Sequence, residues 1–600
     1  MKRVLTILLL FASTCLYATT YYVTTSGSDE ANGTTTSTPW ATLAYAEAHA
    51  TAVGDIIALK KGDIWSSTTP IAIKHGGSVG NPIIWDGSLW GSGDNASIRS
   101  SGNHSADYYS IVNIIACSYV TFKNITVDGN NTQCFGIAIG GHTGMSGNVQ
   151  GNETNITIDG CSILNVGDGE GYCLGFCCQT WNTDISDITV QNCTFDGSDD
   201  EQLSFYPGKG ADGATARTIS NVLVKNNSLT NWGRRGETTG YGLQINNHIV
   251  NAVIEDNTLA QGATGLGNAM HIEANESTAG YYPTNIIVRR NTFNISKSSS
   301  RDLYIQSGQA MTVDIYSNIF ISTSTTNTEV GNLLISVVGD YLGGEINIFN
   351  NTFYTRCGFN IQNDNATGNV FIVKNNILYN AGTDAEASAC LFSYTAGATV
   401  HDYNAYYRSA GVDELKMIDD GYLYTSSQVL AKEANAIVGD PIFVTVGSNF
   451  HLQSSSPVIG EGVDLDLVLD YDSVSWNVTP SMGAYEYVSP ILITSIIVSG
   501  HEGATTITNK GGTLQMNASI TPTDATNKNI SWSTISGTGT GRIISDGLLK
   551  AITDGTVIVR AMATDGSDVY DDQVITFSNQ NELTSPKIVV DYVGEIIVSN

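Results

Sequence analysis

The chain has 600 residues, of which 41 % are apolar, enough for one long core or several small ones. Charged residues reach only 14 %, and 57 acidic side chains against 27 basic ones leave a net charge of −30. That field repels nucleic acid and anionic membrane surfaces, so neither is an expected partner, and a bound anion needs Arg, Lys or metal gathered locally.

The N-terminus, MKRVLTILLLFASTCLYA, places Lys2 and Arg3 before a short apolar run that ends in small residues. It reads as a secretory signal over residues 1–18, cleaved after Ala18 and too short to stay as a membrane span. A lipid anchor on Cys15 is the alternative, although AST is a poor match to the residues that precede a lipidated Cys. No later stretch is long and apolar enough to cross a membrane. The mature chain is therefore expected outside the cell or on its surface, without a membrane span.

Gly76-Gly77-Ser78-Val79-Gly80 fits the GxSxG pattern but lacks the strand–turn–helix context of a nucleophile elbow, so a packing turn is the better reading. Five cysteines crowd between Cys161 and Cys193, with Cys173, Cys177 and Cys178 among them, at no zinc-like spacing. They read as buried core residues.

From Tyr119 onward one phrase recurs, with starts at Tyr119, Asn155, Asp187, Asn221, Asn251, Asn285, Thr312, Glu345 and Val370, 25 to 36 residues apart. Its second and fourth positions are mostly apolar, as in Ile286 and Val288, which predicts a strand with one buried face. The seventh position is Asn227, Asn257, Asn291, Asn318, Asn351 and Asn376 in six successive copies. A residue type fixed at one slot of a repeating unit signals a solenoid, and these six are expected to stack as an interior ladder. Asn also suits a tight bend because it tolerates left-handed backbone. Cys161 and Cys193 occupy the same slot in earlier copies.

A second column runs between the phrases: QLSFYP, GLQINN, MHIEAN, DLYIQS. Its inward residues are Leu203/Phe205, Leu243/Ile245, Met270/Ile272 and Leu303/Ile305. Short strands without helical crossovers predict an all-β fold, a β-solenoid. The chain resembles the right-handed parallel β-helix of the pectate-lyase-like superfamily over residues 19–487. The resemblance rests on YYVTTSGSDEANGTTTSTPWATLAYA, GDIIALKKGDIW, NPIIWDG, DPIFV, NFHLQSSSPVIGEG and MGAYEY. It implies that Thr38 caps, and Pro39 begins, a short helix closing the barrel end. It leaves the reaction open, because this fold hosts lyases, hydrolases, epimerases and adhesins. After a linker at 488–490, residues 491–578 resemble the group 2 bacterial Ig-like domain, a small β-sandwich that spaces or attaches. Residues 579–600 form a tail ending in what reads as an unfinished strand.

Chemistry is expected on the outward slots of the second column, which form the files Ser204, Gln244, His271, Tyr304 and Tyr206, Asn246, Glu273, Gln306. The loops entering these strands bring Asp199, Asp200, Glu201, Arg234, Arg235, Glu237 and Arg301. The functional reading of this cluster is polysaccharide cleavage, foremost by a lyase acting on uronic-acid polymers by β-elimination. In that reading Arg235 or Arg301 neutralises the uronate, His271 is the base and Tyr304 the acid. Gln244, Asn246, Tyr206, Gln306 and Arg234 contact substrate, while Asp199, Asp200 and Glu273 hold calcium.

A hydrolase using paired carboxylates is the rival. SDDEQLSF and GYGLQI resemble the polygalacturonase DD and GHG segments only with an extra residue after Asp199-Asp200 and with Tyr241 in the place of His. A binding-only adhesin and a plain solvated face are further readings. Asp464, Asp466, Asp470 and Asp472 form either a calcium loop or a solvated acidic loop. His271 is expected to be exposed, so that His271→Ala spares stability, and the protein is expected to be a monomer.

Overall fold

Val190, Val224, Ile254, Val288, Ile315, Ile348 and Val373 occupy one register position on seven successive strands, each pairing in parallel with the next. All seven are fully buried. The computed structural model describes residues 18–600 except 104–109, 141–152, 181–182, 209–216, 237–239, 262–266, 275–280, 296–300, 308–309, 323–332, 338–343, 356–358, 364–369, 382–389, 395–397, 410–415, 419–424, 581–586, 591–595 and 600. It falls into two units, Met1–Tyr487 and Val488–Asn600. The residues expected to form the signal lie outside the described ones, apart from Ala18. Among the described residues no helix is long and apolar enough to cross a membrane.

Every third strand of the first unit returns to the same sheet, giving three parallel sheets of 13, 12 and 13 strands. This is a parallel β-helix. Twelve steps of about 4.8 Å make the stack about 58 Å long. The alternation read in the repeats puts Ile, Val, Leu and Phe inside, where Phe293, Phe320 and Phe353 stack with ring centroids 4.8 and 4.6 Å apart.

The six expected Asn residues form one interior file, and Asn404 adds a seventh rung. Each rung's Oδ1 accepts from both the backbone N–H and the Nδ2 of the rung before it; Asn318 takes both from Asn291, at 2.9 and 3.0 Å. Each Nδ2 also donates to a carbonyl one coil back, as Asn291 does to Ile254 at 2.8 Å. One amide thus ties three coils, which satisfies buried backbone groups that the bend would otherwise strand. The left-handed backbone is not at the ladder Asn itself. It lies one residue earlier, at Asn226, Asp256, Arg290, Ser317, Asn350, Asn375 and Tyr403. The ladder Asn is selected for its amide, and its neighbour makes the turn. Cys161 and Cys193 continue the file below, buried, and Cys193 N–H donates to Asn227 Oδ1 at 2.9 Å. At the other end Asn404 Nδ2 donates to the buried carboxylate of Glu433, 3.3 Å away, which also takes His401 Nδ1 at 2.6 Å.

The helix that closes the N-terminal end runs Leu43–His49 with Thr42 as its cap, whose Oγ1 accepts from Tyr45 N–H at 3.2 Å. The expected start at Thr38 and Pro39 is too early. Asp29 takes the N–H groups of Ala41 and Thr42 at 2.8 and 3.0 Å, and Trp40 bridges to Val23 and stacks on Tyr21, which keeps this segment extended. The GxSxG stretch is a packing turn in which Ser78 and Asn81 exchange backbone hydrogen bonds. A Cβ on Gly76 would fall 1.9 Å from the Ser118 carbonyl oxygen.

The second unit packs two four-stranded sheets around Val498, Met516, Leu549, Val557, Val559 and Ile575, an Ig-like sandwich. A hairpin, Lys587–Val590 with Ile596–Ser599, follows it.

Candidate functional site

Four neighbouring strands of the 12-stranded sheet carry the site: Leu203–Pro207, Tyr241–Asn246, Asn268–Ala274 and Leu303–Ser307. Leu203, Leu243, Met270 and Leu303 lie in register and fully buried, as do Phe205, Ile245, Ile272 and Ile305. Their register forces the intervening side chains into the two expected files. Ser204, Gln244, His271 and Tyr304 align in one, and Asn246, Glu273 and Gln306 in the other.

These files are not a solvated face. His271 is 1 % exposed, Asn246 2 % and Glu273 8 %, so the outer side of this sheet is covered. Tyr304, Gln306, Tyr206 and Arg301 remain partly exposed at its margins. The expectation of an exposed His271 is therefore wrong: the ring is sandwiched. Tyr304 stacks on one face with centroids 4.8 Å apart and planes 2° apart, and Tyr241 leans on the other at 4.5 Å and 46°. The Arg301 guanidinium lies 4.8 Å from the centroid of the Tyr304 ring.

Polar groups buried here lack partners, which a folded chain rarely tolerates without a reason. Among the described residues, both His271 ring nitrogens, Glu201 Oε2, Asn246 Oδ1 and Arg301 Nε have no hydrogen-bond partner. Glu273 Oε2 is 3.7 Å from His271 Nδ1, beyond hydrogen-bond reach, and accepts from Asn246 Nδ2 at 3.2 Å. Gln244 Oε1 accepts from Ser204 Oγ at 2.9 Å.

Electrostatics sort these groups. Burial, together with the Arg301 charge, pushes the His271 imidazole down to about 3, so it is neutral. Burial and then the Asp200 carboxylate push Glu201 up to about 8, so it holds a proton at neutral pH. Burial, then the Glu273 and Glu201 charges, holds the Tyr241 phenol well above its ordinary value. Burial lowers Arg301, with the phenols of Tyr304 and Tyr241 acting in the opposite direction.

The remaining expected residues do other work. Arg234 spends its donors on protein oxygens: Val166 O at 2.8 Å, Gly167 O at 2.7 Å, Asn131 Oδ1 at 3.0 Å and Asp199 Oδ1 at 3.2 Å. It clasps loops of successive coils, and its assignment to substrate is corrected accordingly. Arg235 sits 3.5 Å from Asp200. Asp199 is engaged by Arg234 and by the Gly169 N–H at 2.8 Å. Among the described residues no three His, Cys, Asp or Glu side chains converge to hold a metal ion. Asp199 and Asp200 are each paired with an arginine, 3.2 Å from Arg234 and 3.5 Å from Arg235. Nor does the Asp464–Asp472 loop converge: Asp470 accepts from Val474 and Glu486 N–H groups, and Asp472 pairs with His451. Glu237 lies outside the described residues.

Two members of the cluster, Glu201 and Tyr241, were not among the residues given roles. Tyr241 pairs in register with Asn268, and Glu201 and Arg301 likewise stand two residues before an inward Leu, with Gln202 N–H bonded to Tyr241 O and Ala269 N–H to Arg301 O. The signal is in the sequence as EQL, YGL, NAM and RDL.

The fold defines a parallel β-helix followed by an Ig-like module. The family model for the bacterial Ig-like domain (group 2) matches residues 493–574. The chain is 40 % identical over 86 residues to the tail tube protein pb6 of Escherichia phage T5, a match that spans 14 % of this chain and 18 % of that protein. Among solved structures it is similar to a lacto-N-biosidase from Eubacterium ramulus, at 12 % identity and a TM-score of 0.40, over 65 % of this chain and 67 % of that one. An alginate lyase from Paenibacillus sp. str. FPU-7 matches at 14 % identity and 0.31, over 61 % and 94 %. A surface adhesin of Streptococcus pneumoniae matches at 13 % and 0.35, over 54 % and 80 %. None of these likenesses carries an argument about chemistry.

Proposed function

We propose that this is an exported lyase that cleaves a uronic-acid-containing polysaccharide by β-elimination at the His271–Tyr304–Arg301 cluster. The observation that carries the reading is Arg301. In a chain of net charge −30, its mostly buried guanidinium has no carboxylate partner among the described residues, and it lies against the ring that stacks on His271. A buried cation without its anion is a costly arrangement unless a ligand supplies the anion.

In this scheme the uronate carboxylate docks on Arg301, which withdraws charge and acidifies the proton on the adjacent ring carbon. Neutral His271 removes that proton. The electron pair forms the new carbon–carbon double bond and expels the glycosidic oxygen, which takes a proton from Tyr304. His271 is a weak base in the empty site, because burial and Arg301 hold it down. An arriving carboxylate offsets the Arg301 charge and raises the basicity of the imidazole when the substrate is in place. Purified protein incubated with uronate polymers should generate the ultraviolet absorbance of an unsaturated uronate.

One observation favours a second reading. Burial and then the Asp200 carboxylate keep Glu201 protonated at neutral pH, as the acid of a glycoside hydrolase must be. Reducing ends released without new absorbance would establish that reading in place of the first.

A further inference from the structure

The charges of the site are not spread evenly along the helix axis. The file two residues before the buried Leu or Met runs Glu201, Tyr241, Asn268, Arg301 over four successive coils. Arg301 ends it as the cation without a carboxylate partner among the described residues. At the other end Glu201 follows Asp200, whose carboxylate lies 3.5 Å from Arg235. Between the ends lie two coils, one with Asn268, His271 and Glu273 beside Arg301 and one with Tyr241, Gln244 and Asn246.

From this we propose that the substrate is a heteropolysaccharide whose uronates are flanked by neutral sugars, and not an unbroken polyuronate. The proposal rests on the lyase reading and narrows it. Coils are about 4.8 Å apart, and a pyranoside with its linkage advances by a similar step, so consecutive sugars meet consecutive coils. With one carboxylate on Arg301, the next sugar toward Glu201 meets the coil that carries Asn268 and Glu273, an amide and a carboxylate that bond neutral hydroxyl groups and oppose a second uronate. An unbroken polyuronate would instead carry its next carboxylates toward Glu273, Asp200 and Glu201. Burial, and then the Asp200 carboxylate, keep a proton on Glu201, and a further buried anion there would add like charge. Like-charge contacts of this kind are how binding sites reject near-relatives of their ligand.

The test uses the intact protein and measures initial rates by ultraviolet absorbance. Hyaluronan and rhamnogalacturonan serve as alternating polymers, and polygalacturonate and alginate as unbroken polyuronates. At least one alternating polymer should be cleaved with kcat/KM on the order of 10²-fold above either polyuronate. A graded series of methyl-esterified polygalacturonates separates the two layers of the argument. Partial esterification neutralises neighbours and should raise the rate, while complete esterification removes the carboxylate that Arg301 needs and should abolish it. A rate that falls steadily from the unesterified polymer overturns the substrate class and leaves the lyase reading standing. A rate that climbs to full esterification overturns the Arg301 docking, and with it both proposals. Absence of new absorbance on every polymer does the same.

Discussion

His271 and Tyr304 lie one coil apart with their rings 2° from parallel and 4.8 Å between centroids. Parallel strands in register impose that separation, so the stack is a product of the solenoid rather than of a local loop. Stacking covers both imidazole faces, and both ring nitrogens are buried without a hydrogen-bond partner among the described residues.

The burial sets the first expectation. His271→Ala should abolish turnover and also lower unfolding free energy by about 2 kcal/mol, because it opens a cavity between two tyrosines. Denaturant titration beside the absorbance assay checks both. The acid limb of kcat/KM should show no inflection near the ordinary imidazole value of about 6.5, since the free site holds His271 far below it. An inflection there would mean that another base acts.

Tyr304→Phe keeps the ring stack and removes only the phenolic proton. Unfolding free energy should change by under about 1 kcal/mol while kcat falls on the order of 10²-fold. Unaltered kcat would exclude Tyr304 as the acid.

Arg301→Gln removes the cation and retains hydrogen-bonding capacity. Cleavage of a uronate polymer should drop on the order of 10²-fold in kcat/KM, and the salt dependence of the remaining activity should flatten. Steady-state kinetics at two ionic strengths decide it. Retained salt dependence would place the docking cation elsewhere.

Away from the site, Glu255 joins Lys225, Arg289 and Arg290 on the outside of one sheet. Burial alone would raise its carboxyl, but hydrogen bonds from Lys225 and Arg289 and the charges of both arginines outweigh burial and hold it at about 2. A depressed folded value contributes stability above the unfolded value of about 4.5, and that contribution is lost as pH falls from there toward 2. The loss is on the order of 2 kcal/mol once solvent screening of the half-exposed Lys225 is allowed for. Glu255→Gln should flatten this part of a pH–stability curve, and an unchanged slope would count against the network.

In the ladder, Asn291→Ala deletes an amide that bonds Ile254 O, Asn257 and Asn318 and strands their buried groups. A cost of about 3 kcal/mol follows from the unmet hydrogen bonds. Calorimetry should place it well above a substitution at an exposed Asn such as Asn251.

How much of this was legible in the sequence depended on whether a pattern was periodic. The ladder Asn residues and the inward Leu, Met and Ile of the second column repeat with every coil, so spacing alone located them and their register. The helix start was misplaced because Asp29, a dozen residues upstream, takes the N–H groups that a cap at Thr38 would have left to the helix. The exposure of His271 was misjudged because alternation tells which side of a sheet a residue takes and nothing of what covers that side. Arg234 was given to substrate because an arginine on a loop declares its charge but not the four oxygens that fold back to it. Glu201 and Tyr241 stood in register with Arg301 all along, at a slot filled by four different residue types, where no recurrence marks it.

The Asn column also has a direction. Every rung donates to the next and no Asn donates to the Asn before it, from Asn227 up to the Glu433 carboxylate that closes the column. A coil that brings its own Asn can therefore be spliced in or out between those ends without a new kind of contact, whereas half a coil breaks the chain of amides. The length of the solenoid is thereby quantised in units of 25 to 34 residues. Gene duplication can lengthen or shorten the outer face of the solenoid while leaving its cross-section, and the residues on any one coil, as they were.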